Sequence, residues 1–157
     1  MLLVSTAMTD LATAPALGID LGRARMGLAV VREGVAMPLA VWPRKGTRLD
    51  LARLLPELDR LGIAQVVVGL PPDQGAGDGS HGLARRFAEA LAAAQSRPVL
   101  LVDEAETTVV AHAELRALGY RAAKRRDLVD QHAAKAILQR WLAGAPVERV
   151  APATAAD

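Results

Sequence analysis

The chain has no cysteine among its 157 residues. Disulfides, a thiolate zinc site and a cysteine nucleophile are therefore excluded, and the composition fits a reducing compartment. Aromatic residues are scarce, at 3% of the total. That is too few for a platform of rings stacking on single-stranded nucleic acid. Neither sign of charge dominates: 19 Lys and Arg face 17 Asp and Glu, a formal net charge of +2. Bulk charge thus does not announce a polyanionic partner; only its distribution along the chain can. Long apolar runs are missing as well. The longest are strand-sized or are helices interrupted by charge, so no membrane span is expected.

What is present suffices for a folded domain. Hydrophobic residues make up 52% of the chain, and its length suits one domain with a real core. The start, Met1-Leu2-Leu3-Val4-Ser5-Thr6-Ala7, lacks the positive charge that opens a secretory signal. Residues 1–15 read as a flexible leader, with Met8 an alternative start. A cytoplasmic protein is expected.

Residues 16–22 read as a buried strand, Arg25–Glu33 as a second and Val35–Pro43 as a third, with tight turns between them. This predicts an antiparallel meander. Thr47–Leu61 carries Leu51, Leu54, Leu55, Leu58 and Leu61 at helical spacing, and Gly62 stops it. Gln65–Leu70 is too continuously apolar to face water on either side. Leu83–Gln95 reads as helix, Pro98–Glu104 as strand, Thr107–Leu118 as helix stopped by Gly119, and Asp127–Leu142 as the last helix. The order predicts an α/β fold: a mixed five-stranded sheet, three strands antiparallel and two parallel, with helices on both faces. The folded domain is expected over 16–143, with 144–157 a flexible C-terminal tail.

Three carboxylates stand at the edges of hydrophobic elements. Asp20 ends the run Ala16–Ile19; Glu104, beside Asp103, ends Val99–Val102; Asp130 precedes Ala133–Leu138. Acids held at the rim of a core repel one another and lose hydration, so a proton or a cation belongs among them. All-oxygen donors favour a hard cation, Mg²⁺ or Mn²⁺. Each acid also has an ordinary reading. Asp20 could be a turn aspartate, and Asp103-Glu104 a strand exit before a cap at Thr107-Thr108. Asp127 could cap the last helix, with Asp130 in its first turn. Strand alternation puts Asp103 and Glu104 on opposite faces, and periodicity does not say which one turns towards Asp20. Positions 130, 134, 137 and 141 (Asp130, Ala134, Ile137, Trp141) share one helix face, so the carboxylate of Asp130 is expected on the buried side.

The three histidines, His81, His112 and His132, lack metal-ligand spacing. The serines lack the setting of a nucleophile elbow. The loop 71–82 is Gly-rich but lacks the Lys-Ser/Thr ending of a P-loop; it is expected to rim the site.

With these pieces placed, the chain resembles the YqgF/RuvX family. Leu17-Gly18-Ile19-Asp20-Leu21-Gly22-Arg23 through Val30 is similar to the family's opening motif. Val67-Val68-Gly69-Leu70-Pro71 resembles its fourth strand and the loop that follows. Asp103-Glu104-Ala105-Glu106-Thr107-Thr108 resembles its Asp-Glu-Arg-x-Thr-Thr motif, and Asp130-Gln131-His132-Ala133-Ala134 its terminal Asp-x-x-Ala-Ala helix. The family comprises small bacterial proteins of RNase H-like fold, described as Holliday-junction resolvases and as pre-16S rRNA nucleases. The chain departs from the pattern at Ala105, where Arg is common, at Glu106, and within the 71–82 loop.

The resemblance implies that Asp20, Glu104 and Asp130 are the catalytic, metal-binding acids, with Asp103 and Asp127 as secondary candidates. It implies hydrolysis of phosphodiesters with Mg²⁺ or Mn²⁺, on branched DNA or precursor rRNA, by a monomer or weak homodimer. Arg25, Arg85, Arg86, Arg121, Lys124, Arg125 and Arg126 are the cations expected to hold phosphates. The alternative is a non-catalytic module binding rRNA or a ribosome-assembly partner. A phosphotransferase is disfavoured, because a chain of this length has no room for a second nucleotide-binding lobe.

Overall fold

Three successive strands open the structure: β1 (Ala16–Leu21), β2 (Arg25–Arg32) and β3 (Val35–Pro43). The computed structural model describes residues 14–73, 79–104, 116–119 and 121–152; of 122–131 it describes the backbone alone. The β2–β3 connection is as short as a hairpin allows. Glu33 and Gly34 both take positive φ, 52° and 77°, which matches the twist of the flanking strands. Next come α1 (Thr47–Arg60), β4 (Gln65–Leu70), α2 (Ser80–Ala94), β5 (Val99–Asp103), α3 (Ala122–Leu142) and β6 (Val147–Arg149). None of the described helices is long and apolar enough to cross a membrane.

The sheet order is β3-β2-β1-β4-β5-β6. β1 pairs antiparallel with β2 and parallel with β4, and β4 pairs parallel with β5. This is the expected mixed α/β sheet, with the later strands beside the first. β3, which contains Pro38 and Pro43, lies at an edge, where a residue without an amide hydrogen costs no ladder bond.

Two expectations need correction. Among the described residues the sheet has six strands, not five, and the sixth comes from the segment read as a tail. Val147–Arg149 pairs antiparallel with Val102–Leu100, the Val150 amide donates to the Val99 carbonyl at 2.8 Å, and Val150 is buried. Three residues between prolines carry no periodicity; the open edge of β5 makes them a strand. The last helix also begins five residues earlier than its acidic signal suggested, at Ala122. The leader up to residue 13, loop residues 74–78, the segment 105–115 with His112, and residues 153–157 lie outside the described residues.

Side chains alternate across the sheet. Leu17, Ile19, Leu28, Val66, Val68 and Leu101 face α1 and α2, where they meet Leu54, Leu58, Phe87 and Leu91. Ala16, Ala29, Val31, Val67 and Val102 face α3 and meet Ala134, Ile137 and Leu138. The second face is built from smaller residues, so α3 comes closer. A Cβ added to Gly18 would lie 2.6 Å from Leu138 Cγ and 2.9 Å from the Ala134 carbonyl oxygen.

Candidate active site

The parity of each strand decides where its acid points. On β1, Ala16 and Gly18 face α3, so Asp20 does too. On β5, Val102 faces α3, which sends Asp103 to the opposite side and Glu104 back to α3. Asp103 is exposed, and its carbonyl oxygen receives the Arg140 Nε at 2.8 Å. The Glu104 amide donates to the Leu70 carbonyl at 3.0 Å, carrying the chain one step past the end of the β4–β5 ladder. Asp20 and Glu104 thus meet at the carboxyl edge of parallel strands, where open α/β sheets bind their ligands.

Two glycines make room there. Gly27 is the cross-strand partner of Asp20 on β2. Gly69, on β4, lies between β1 and β5. A Cβ at position 69 would stand 2.6 Å from Glu104 Oε1 and 2.7 Å from its Cγ, and would also collide with Ile137 Cδ1. The Glu104 side chain therefore lies across bare backbone on its way to Asp20. Asp20 also lines a cleft of about 180 Å³ with Gly22, Arg23, Ala24, Arg25 and Gly27.

The electrostatics follow from this placement. Burial pushes the Glu104 carboxyl up to about 9, helped by its hydrogen bond to Asp20 and by the negative charges of Asp20 and Asp103. All of these influences act in the same direction. Two carboxyl groups so arranged hold a proton between them, or a cation in its place. Their hard oxygens at a half-buried edge fit a divalent ion such as Mg²⁺ or Mn²⁺. Among the described residues, no cluster of three or more acidic or histidine side chains forms; the side chain of Asp130 is outside them.

The path of α3 overturns one ordinary reading. The helix starts after Arg121 and has no acid in its first turn. Asp127 therefore does not cap it, and Asp130 lies beyond the reach of its N-terminal dipole. Position 130 sits one turn before Ala134, on the stripe that packs against Gly18, two residues from Asp20.

Comparison with known proteins assigns the chain. Residues 14–144 match the family model described as "RuvX: Holliday junction resolvase". A protein of Anaeromyxobacter sp. (strain Fw109-5), named "Putative pre-16S rRNA nuclease", is 43% identical over 134 residues, covering 82% of this chain and 96% of its own. The chain belongs to the RuvX family. A second relative of the same printed name, from Chloroflexus aggregans, is 38% identical over 129 residues, 80% of this chain and 91% of its own. The solved structure of T. thermophilus RuvC in complex with Holliday junction substrate aligns with a TM-score of 0.54 at 18% identity. The alignment covers 87% of this chain and 99% of that one, and shows a shared RNase H-like fold.

The RuvX chain distributes its cations less simply than the sequence suggests. Arg25 opens β2 and lines the Asp20 cleft. Arg121 is exposed just before α3, while the side chains of Lys124, Arg125 and Arg126 lie outside the described residues. Arg85 and Arg86 sit on α2, on the opposite face of the sheet from α3. Arg85 pairs with Glu148 of β6, through bonds of 2.6 and 3.1 Å, and so ties α2 to the sixth strand. His81 contacts the Pro71 carbonyl at 2.8 Å and fixes the entry of the 71–82 loop; His132 is exposed.

Sequence reasoning missed one feature beside the site. Arg44 and Asp50 form an almost fully buried ion pair, Nε to Oδ2 at 2.6 Å, with side-chain exposures of 8% and 5%. The available signal was Arg44 lying between a strand end and a helix that carries an acid in its first turn. Nothing in the sequence says that the two are buried together.

Proposed function

We propose that this RuvX protein is a divalent-metal-dependent nuclease acting in the cytoplasm on structured nucleic acid, as a resolvase of branched DNA, in 5′-end maturation of pre-16S rRNA, or both. The observation that carries the reading is the Asp20–Glu104 pair, held together at the carboxyl edge of the sheet against electrostatic cost. The names of the relatives at about 40% identity support a nuclease, and the four sequence motifs support these acids as its centre.

Asp20 and Glu104 would hold the cation, with Asp130 of α3 completing the set. When bound, Mg²⁺ or Mn²⁺ supplies Lewis-acid polarisation of phosphate and water and offsets the charge of the acids. Asp20, anchored in the ladder opposite Gly27, would hold the ion beside the cleft. Glu104, whose carboxyl is pushed up to about 9 by burial and by Asp20, would hold the ion as its carboxylate. Arg25 at the cleft, with Arg121, Lys124, Arg125 and Arg126, would align the phosphate backbone, so recognition rests on shape and charge rather than on ring stacking.

The test is cleavage of a four-way DNA junction and of precursor 16S rRNA, side by side, by wild type and Asp20→Asn, with and without Mg²⁺ or Mn²⁺. The variant is expected to fold, and to lose cleavage by about a thousandfold or more. Binding of either substrate with no cation-dependent cleavage by the wild type would establish the non-catalytic binding module instead.

A further inference from the structure

The buried Arg44–Asp50 pair does more than join β3 to α1. Besides the Asp50 carboxylate, the Arg44 guanidinium donates through Nη1 to the Gly22 carbonyl at 2.9 Å, and the Arg44 amide donates to the Ala24 carbonyl at 2.8 Å. Residue 44 thus grips two carbonyls of the β1–β2 turn, one with its side chain and one with its backbone. The turn closes on itself where the Gly22 amide donates to the Arg25 carbonyl at 2.8 Å. Asp50 is locked in turn: its second oxygen accepts the Lys45 amide at 3.0 Å, and its own amide donates to the Gly46 carbonyl at 2.9 Å. The guanidinium also lies over the Phe87 ring of α2, 5.7 Å from its centroid.

A buried ion pair of this kind contributes little net stability compared with an apolar pair of similar volume, because both charges are desolvated. What an apolar pair cannot supply is the donor to Gly22. The turn it grips is the wall of the cleft shared by Asp20, and it presents Arg23 and Arg25 to solvent. A planar guanidinium reaches the carboxylate with one edge and the carbonyl with another; a lysine ammonium has no such fork.

We infer that Arg44, held by Asp50, is a positioning residue: it fixes the β1–β2 turn at the height where a phosphate entering the Asp20 cleft must pass. The inference rests on the nuclease reading for its effect on cleavage, but not for its effect on the turn. Two variants test it. Arg44→Met combined with Asp50→Leu replaces the pair with apolar groups, and Arg44→Lys keeps the charge but removes the fork. The double variant is expected to keep its thermal midpoint close to that of the wild type. Amide exchange at Gly22 should accelerate at least about tenfold in both variants, because the closing bond of the turn loses its support. On the substrate that the wild type cleaves, kcat should fall by about ten- to a hundredfold with KM changed by less than about threefold, as a displaced site wall costs orientation rather than affinity. Wild-type exchange at Gly22 in Arg44→Lys, or in a folded double variant, overturns the inference, as does wild-type kcat in a variant whose turn exchanges faster. If the wild type cleaves nothing, the nuclease reading fails while Gly22 exchange still decides whether Arg44 holds the turn.

Discussion

Asp50 and Glu104 are both acids drawn into the protein, and the molecule treats them in opposite ways. Asp50 is given a permanent cation, Arg44, for one carboxylate oxygen and the Lys45 backbone amide for the other. Glu104 is laid across a glycine towards another carboxylate, and burial, Asp20 and Asp103 all favour its protonated form. The first arrangement is complete within the chain. The second becomes complete when a proton or a divalent ion joins it. The contrast separates a structural acid from the one proposed to be functional more sharply than burial does.

The same chemical change at the two sites should break them differently. Glu104→Gln is expected to reduce cleavage by about a thousandfold while leaving the metal-free fold as stable as before or more so, measured by nuclease assay and thermal unfolding. Asp50→Asn should instead destabilise by roughly 3–5 kcal/mol, because it strands a buried guanidinium. Equal loss of stability in both variants would erase the distinction.

Gly69→Ala probes the space rather than the charge. The added methyl meets Glu104 and Ile137 together, so a cost of about 1–3 kcal/mol is expected by denaturant unfolding, with a loss of divalent-ion affinity by titration. Undisturbed metal binding in that variant would show that Glu104 does not need its path over the backbone.

The pH dependence sharpens the comparison. The Glu104 carboxyl rises from an ordinary 4.5 to about 9, so the folded protein holds a proton that the unfolded chain has released between those values. Its contribution to metal-free stability is complete below about 4.5 and is lost as pH rises through about 9. Unfolding midpoints measured across that window should fall in the wild type and stay flatter in Glu104→Gln. Added Mg²⁺ should oppose the fall, since the proposed ion would bind the deprotonated pair.

The smallest effect is expected at Arg85. Its partner Glu148 is more than half exposed, so Arg85→Gln should cost less than about 1 kcal/mol and leave the salt dependence of nucleic-acid binding unchanged. Neutralising Lys124, Arg125 and Arg126 together should flatten that dependence, by up to roughly three in the log–log slope.

Much of this was legible along the chain. The meander, the parallel strands and the α3 stripe of Ala134, Ile137 and Trp141 follow from periodicity, because burying one face of an element imposes a repeat on its sequence. The sixth strand was not legible. Three residues between prolines become a strand only when a free edge is there to pair with them. The start of α3 was misplaced because Asp127 resembles a cap, while the actual first turn, Ala122-Ala123-Lys124, carries no capping signal. The Arg85–Glu148 pair was not legible either, because a sequence does not show which side chains meet across 63 positions.

By itself the sequence determined the class of fold, the family, and that acids stand at the ends of β1 and β5, since these depend on local pattern and residue type. Only the tertiary structure decided that Glu104 rather than Asp103 turns to Asp20, that Gly69 clears its way, and that Arg44 closes over the neighbouring turn. The reason is physical. β5 is apolar on both faces, so its alternation is silent until helices cover each side, and a close approach between distant segments leaves no periodic mark in either of them.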